Sequence, residues 1–430
     1  MTADHDAIYI VDGARTPFLK ARGRPGPFSA ADLATAAGTQ LLLRQPFAAD
    51  ELDEVILGCA TPASDEANIG RIAALRMGCG TAVPGWTVMR NCASGLQAID
   101  SALGNIRLGR SDLVLAGGVD ALSRAPVLVP DDMVHWLAQW RAARSVGARL
   151  QLLRRLRPGY FAPVLGLLKG LTDPVVGLSM GQTAENLARR FSISREEMDA
   201  YALASHARTA QANDAGHLAE IVPLTAPDGR LLDVDDGLRR DSTAADLARL
   251  KPFFDPRYGN ITAANSSQVT DGAAWVVLAS ARAVEQHGLR PIARIVDSAW
   301  AALDPAYMGL GPVHAATPLL QRHGLSLDDI DLWEINEAFA AQVLACLRAW
   351  EDDAYCREHL GLDGALGTLD PARLNIDGGA IAIGHPVGAS GARIVLHLVE
   401  AMRRTGARRG MAAICIGGGQ GGALLVEEVA

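Results

Sequence analysis

One feature constrains this chain most: an order of strand-like and helix-like runs that is laid down twice. In the first half, residues 7–11, 55–58 and 113–118 read as strands. Asp12 to Pro17 reads as a turn out of the first strand. Thr87-Val88-Met89 leads into a turn at Cys92, and residues 95–108 have helical period. Residues 274–278 read as a further buried strand. In the second half, 293–296 and 332–335 read as strands, and Asn336-Glu337-Ala338-Phe339 opens a helix. Residues 389–404 form another helix, 411–414 a strand ending at Cys415, and 423–428 the last strand. Alternating strands and helices imply α/β layers, and the repetition implies a duplicated unit.

At 430 residues the chain exceeds one usual core. The stretch from about Ser123 to Lys251 breaks the repetition and reads as an insertion into the first half. The predicted boundaries are 1–122 and 251–282 for the first unit, 123–250 for an inserted loop domain, and 283–430 for the second unit. In each half the chemistry-bearing residues fall where strands end, which is where α/β sheets place ligands.

A formal net charge of -8 argues against a dedicated nucleic-acid binder. None of the six cysteines stands in C-x-x-C spacing, so no metal site is expected. The first residues, Met1 to Asp6, are acidic and lack the basic and apolar regions of a secretory leader. No uncharged apolar run is long enough to span a bilayer. The predicted location is cytoplasmic, with free thiols.

Within the insertion, residues 133–172 contain no Asp or Glu, but they do contain Arg141, Arg144, Arg149, Arg154, Arg155, Arg157 and Lys169. Trp136, Leu137 and Trp140 lie beside these charges at helical spacing. The first expectation is a solvated helical face packed on the domain. Two functional readings stand beside it: a funnel for a phosphate-rich substrate, and a basic amphipathic contact with anionic lipid.

Three turns carry the chemistry. Cys92, in Asn91-Cys92-Ala93-Ser94-Gly95, stands between a strand and a helix. A helix N-terminus favours a thiolate there, and the geometry resembles a nucleophile elbow. His385, held between Gly384 and Pro386, is a candidate base for Cys92. Cys415 is followed by three glycines, Gly417-Gly418-Gly419, one residue further on. Their backbone N–H groups can face an oxyanion, and a second thiol can move a proton at an α-carbon. Asn336 has a bland role as a helix N-cap and a functional one, holding a water or a thioester oxygen against His385. Cys59 and Cys79 read as core, and Cys346 and Cys356 as thiols on one helix and near its end. The run 417–422 satisfies G-x-G-x-x-G, but strand-like residues follow it, so a nucleotide site is rejected.

These residues resemble the thiolase family over nearly the whole chain. The resemblance rests on 91–98, on Met180-Gly181-Gln182-Thr183-Ala184-Glu185-Asn186, on Asn336 to Phe339, on 378–386 and on 415–419. It implies a duplicated αβαβα layered fold with an inserted loop domain. It implies that Cys92 is acylated, His385 activates it, Cys415 is the acid/base, and Asn336 positions a water. The backbone N–H groups of Cys92 and Gly417 would form a second oxyanion hole. Ser267 would meet the pantetheine, and Met180 and Phe339 would line the acyl pocket. Coenzyme A is a substrate, and no cofactor is implied.

The inserted segment and Thr262-Ala263-Ala264-Asn265-Ser266-Ser267 are similar to degradative enzymes of the trifunctional β-subunit type, which cleave 3-ketoacyl-CoA. Ser179, where short-chain acetoacetyl-CoA enzymes carry His before Met-Gly, points the same way. Asn336 departs from that subgroup, which often has His there. The resemblance implies a homodimer or tetramer, and it allows for a hydratase/dehydrogenase partner subunit and a membrane contact through 133–172. The alternatives are an acetoacetyl-CoA thiolase, a decarboxylating condensing enzyme and an inactive acyl-CoA carrier.

Overall fold

The computed structural model describes residues 7–429. Met1–Asp6, read above as lacking a leader, lie outside the described residues. The strands of the first unit are β1 (Ile8–Arg15), β2 (Leu19–Lys20), β3 (Glu54–Gly58), β4 (Gly85–Val88) and β5 (Leu113–Ala121). Two small ribbons follow in the insertion, β6 (Val127–Leu128) with β7 (Val164–Leu165), and β8 (Leu224–Thr225) with β9 (Leu231–Leu232). Next come β10 (Thr270–Ser280), β11 (Ala293–Ala302), β12 (Leu332–Ile335), β13 (Arg409–Ile416) and β14 (Gln420–Glu427).

The main sheet runs β12-β13-β14-β11-β1-β10-β5-β3-β4, with β2 against β10. Its two ends repeat one scheme. β3 pairs parallel with β5, which pairs antiparallel with β10, which pairs antiparallel with β1. Likewise β12 pairs parallel with β13, β13 antiparallel with β14, and β14 antiparallel with β11. β1 and β11 join the halves.

The helices of the first unit are α1 (Ala30–Leu43), α2 (Ile69–Arg76) and α3 (Ser94–Arg107). The insertion carries α4 (Asp131–Ala142), α5 (Val146–Arg154), α6 (Gly166–Gly170), α7 (Met180–Arg190), α8 (Arg195–Asp214) and α9 (Ala244–Ala248). After α10 (Ala281–His287) come α11 (Gly311–His323), α12 (Ala340–Glu351), α13 (Asp353–Leu360), α14 (Ala380–Ile383) and α15 (Val387–Thr405).

Strand alternation sorts the core into layers. Val114, Ala116, Ala274, Val276 and Leu278 pack with Ala412, Ile414, Leu424 and Val426 around α3 and α15. Their neighbours Leu113, Leu115, Trp275 and Val277 pack against α1 and α2. Met411, Ala413, Cys415 and Leu425 pack against α11 and α12. This is a helix–sheet–helix–sheet–helix stack with α3 and α15 at its centre. Both faces of β5 and β10 are covered, which explains their unbroken apolar runs.

Glycines let the two central helices meet. A Cβ on Gly95 would lie 2.8 Å from Gly388 O and Ala392 N, and one on Gly391 would lie 2.5 Å from Leu96 N. Backbone sits on backbone here, which brings the two helix N-termini side by side.

Some elements differ from expectation. β1 continues through Asp12–Arg15 because a bulge between Ile10 and Asp12 resets its register against β10. α12 begins at Ala340, not at Asn336. Cys356 lies on α13, a helix separate from the one bearing Cys346. Cys415 lies within β13, paired with Gly421, and the glycines 417–419 form the hairpin turn to β14. Cys79, read as core, is buried just after α2.

The insertion has two parts. One is fastened to the frame by a buried ionic cluster. Arg15 meets Asp235 at 2.7 Å and Glu220 at 3.2 Å, while His397 of α15 meets Glu220 at 3.0 Å and Asp377 at 3.2 Å. The other part is the α4–α5 hairpin, looped out between β6 and β7. No α4 residue is buried, and only Leu152 is buried in α5. Trp136 stacks on Trp140 and donates to Leu152 O at 2.9 Å. The expected face packed on the domain is thus a hairpin packed chiefly on itself. It leaves Val134, Leu137, Val146, Leu150 and Leu153 exposed.

Candidate active site

Cys92 sits on a strained turn. Asn91 before it has φ 43, a left-handed value that Asn tolerates better than most residues. The Asn91 side chain anchors the turn by donating to Gly417 O at 2.9 Å. Ser94 closes it, accepting from Arg90 N at 2.9 Å and donating to Asn91 O at 2.7 Å. α3 starts at once, so Cys92 stands at a helix N-terminus.

The expected thiolate is not the resting state. Burial pushes the Cys92 thiol up, and the N–H groups of Gly417 and of Cys92 itself offset this only in part. Desolvation outweighs the helix end. The same two N–H groups are the pair expected to form an oxyanion hole, and both are directed at the Cys92 sulfur.

Cys415 is 1% exposed. Burial, then the neighbouring Cys92, then Cys346, raise its thiol well above the usual range. Two sulfurs from opposite halves of the chain therefore lie close enough for one to bear on the other. Gly418 and Gly419, both at positive φ, make the turn beyond Cys415.

His385 is set by its own loop. Its N–H donates to Gln268 O at 2.9 Å, and Gly384 before it has φ 103 and lies against Thr270. Its Nδ1 lies 2.6 Å from Ser390 Oγ, and that hydroxyl also lies 3.0 Å from Pro386 O. When the hydroxyl donates to Pro386 O, it accepts from Nδ1–H and leaves Nε2 bare. Nε2 is buried without a partner. Burial, then the charge of Arg393, push the imidazole down to about 4, so the ring is neutral at pH 7.

Asn336 is fully buried, and its Nδ2 also lacks a partner. It caps no helix. α12 starts beyond Phe339, and Ala340 N donates to Asn265 O at 2.9 Å. Ser267 N donates to Ala338 O at 3.0 Å, and Ser266 bridges to Phe339. The 262–273 segment is thereby stitched to the Asn336 loop. Met180 opens α7 behind a Ser179–Gln182 capping box, and a Cβ on Gly417 would lie 3.0 Å from its sulfur. Phe339 packs edge-on against Phe254.

Cys92, Cys415, Gly417 and Met180 are thus one neighbourhood, with His385 and Asn336 at the adjoining helix N-terminus and strand end. Cys59 donates to the buried Asp120 at 3.4 Å, a carboxylate that also pushes the Cys92 thiol up. Cys79, Cys346 and Cys356 are core thiols. Ser390 and Arg393 join the site without having been singled out in the sequence. Their only sequence signal is position, one and two turns into the helix that His385 precedes. Among the described residues no set of three His, Cys, Asp or Glu converges as a metal site.

A five-layered α/β frame with two thiols and a bare imidazole at neighbouring turns is that of an acyl-transferring enzyme. Two family models cover it: the thiolase N-terminal domain over 8–282 and the thiolase C-terminal domain over 289–428. The chain belongs to the thiolase family. It is 41% identical to a β-ketoadipyl-CoA thiolase of Pseudomonas aeruginosa, over 98% of this chain and 99% of that one. It is 36% identical to a 3-ketoacyl-CoA thiolase of Yersinia pestis, over 99% and 98%. Among solved structures, human mitochondrial 3-ketoacyl-CoA thiolase in complex with CoA matches with a TM-score of 0.84 and 37% identity, over 98% of each chain. The acetyl-CoA acetyltransferase of Bacillus anthracis matches with a TM-score of 0.85 and 37% identity, over 98% and 99%.

Proposed function

We propose that the protein cleaves 3-ketoacyl-CoA with coenzyme A, giving acetyl-CoA and a shortened acyl-CoA, through an acyl-Cys92 intermediate. What supports this is a pair of neutral thiols within electrostatic reach of each other, Cys415 buried and Cys92 half-buried, together with an imidazole whose Nε2 is buried without a partner. His385 Nε2 takes the Cys92 proton, and the sulfur attacks the keto carbon. The C2–C3 bond breaks and its electrons pass to the thioester as an enolate. Asn336 Nδ2, through a water, and His385 stabilise the charge on that oxygen. Cys415, protonated because it is buried, gives its proton to C2 and so releases acetyl-CoA. The incoming CoA thiol returns a proton to Cys415, its sulfur attacks acyl-Cys92, and the departing Cys92 sulfur takes back the proton held on His385. The N–H groups of Cys92 and Gly417 hold the oxyanion of that step. Ser267 faces the pantetheine, and Met180 and Phe339 bound the acyl chain. No prosthetic group enters these steps.

Assays on short-, medium- and long-chain 3-ketoacyl-CoA, with 3-ketoadipyl-CoA beside them, test this. CoA-dependent acetyl-CoA release is the expected result. Activity confined to malonyl thioesters would favour a decarboxylating enzyme instead.

We infer a cytoplasmic homo-oligomer. No helix of the described residues is long and apolar enough to cross a membrane. β4 ends the main sheet with one unpaired edge, a surface suited to a second copy. A hydratase/dehydrogenase partner is the other occupant, and light scattering with and without that partner separates the two. For the α4–α5 hairpin the favoured contact is an anionic lipid surface. Exposed Val134, Leu137, Val146, Leu150 and Leu153 in a segment rich in arginine, with no carboxylate from 133 to 172, support it. Vesicles containing phosphatidylglycerol should bind the protein at low salt and release it at high salt. Absence of low-salt binding would contradict the lipid contact.

A further inference from the structure

Asn336 Nδ2 and His385 Nε2 are both buried and unpartnered. One side chain stands behind both. Arg393, on α15, is 2% exposed and donates to Glu334 at 2.9 Å and to Asn336 Oδ1 at 3.4 Å. We infer that Arg393 is a positioning residue for the thiolase reaction, turning the Asn336 amide so that its NH2 faces the reacting thioester. The inference rests on the catalytic reading above and names what holds one of its parts in place.

The argument is one of donors and acceptors. The two ends of an amide have nearly the same shape, and packing alone barely distinguishes them. A guanidinium has only donors, so it can meet the oxygen but not the NH2. With Oδ1 turned toward Arg393, Nδ2 must point the other way. The backbone of Asn336 is fixed independently, its N–H donating to Ala413 O at 3.0 Å and its C=O accepting from Ala338 at 3.1 Å. The side chain is then the only freedom left, and Arg393 removes it.

A purely structural ion pair is a poor explanation for Arg393. Burial lifts Glu334 to about 7 despite Arg393, so the carboxylate is only partly ionised at neutral pH. A buried pair of this kind contributes little net stability. Arg393 Nε has no partner at all. Its charge is thus incompletely matched, and it bears on His385. The other ionisable groups around are Glu337, Asp377 and His397, which face Glu334, and Asp120 of β5, which accepts from Gly388 N at 2.5 Å near the start of α15.

A double-mutant cycle with a pH profile tests the inference. Arg393→Lys keeps the charge but loses the reach and the fork. Its kcat for thiolysis should fall by about 10- to 100-fold with KM changed by less than about threefold, the pattern of a lost transition-state contact. Asn336→Ala should fall at least as far. The double variant should be no worse than Asn336→Ala, because Arg393 acts through that amide. Arg393→Met removes the charge as well, and the acid limb of kcat/KM should move upward, toward an ordinary histidine. Losses that multiply in the double variant, or an Arg393→Lys enzyme with full kcat, would overturn the inference while leaving the Cys92 chemistry intact. An Asn336→Ala enzyme with full activity would instead remove Asn336 from the mechanism, and this inference with it.

Discussion

The centre of the molecule and the α4–α5 hairpin are both helical pairs, yet they are built on opposite rules. α3 and α15 touch backbone to backbone through Gly95, Gly388 and Gly391, and nearly every residue of α15 up to Met402 is buried. α4 and α5 touch through Trp136, Trp140, Leu152 and Arg149, whose guanidinium lies over Trp140, and leave five large apolar side chains exposed. The first pair tolerates no added volume because it sets where Cys92 and His385 stand. The second has no catalytic distance to keep. Close packing is concentrated around the proposed site, and exposed apolar surface is left on the hairpin for which a lipid contact is proposed.

That contrast gives a graded set of expectations. The largest effect should come from Cys92→Ala, with a loss of activity of about 10⁴-fold or more and unchanged folding by circular dichroism. Gly391→Val should come next. Its new carbons have no room beside Leu96, and denaturant unfolding should show a loss of about 3 kcal/mol or more, or no soluble protein.

The buried ionic cluster should give a loss of similar order. His397→Gln leaves Glu220 and Asp377 short of a cation, and about 3 kcal/mol should be lost near pH 6. Burial opposes the charge on His397, but Glu220 and Asp377 prevail and hold it up to about 10. Its contribution is complete below 6.5 and fades as pH rises toward 10. The Tm gap between wild type and variant should therefore narrow from pH 6 to pH 10. Glu220 and Asp377 are held down to about 2, against burial, by the His397 and arginine contacts. Their contribution is present above about 4.5 and fades as pH falls toward 2. The smallest effect on folding should come from Leu150→Ser with Leu153→Ser. Stability should move by less than about 0.5 kcal/mol each, while vesicle binding falls.

How far the sequence speaks follows the same division. The Cys92 elbow was legible because strand, turn and helix are adjacent in the chain. The first hairpin helix, α4, was legible from Trp136, Leu137 and Trp140, whereas α5 was not. The charge state of Cys92 was not, because burial by distant segments overrides the local helix end. The helix expected to open at Asn336 starts only at Ala340, whose N–H bonds to Asn265, in a segment more than sixty residues away in sequence. The same holds for Arg15, Glu220, Asp235, Asp377 and His397. No local pattern joins them, and only the folded sheet does. Whether the hairpin packs on the domain depended on tertiary contact, which periodicity does not report.

Mass spectrometry of the protein mixed with a 3-ketoacyl-CoA in the absence of free CoA tests the central claim most directly. One acyl group should appear, on the peptide bearing Cys92, and it should disappear when CoA is added. An acyl group on Cys415 instead, or steady turnover with no acyl-protein at any time, would contradict the assignment of the two thiols.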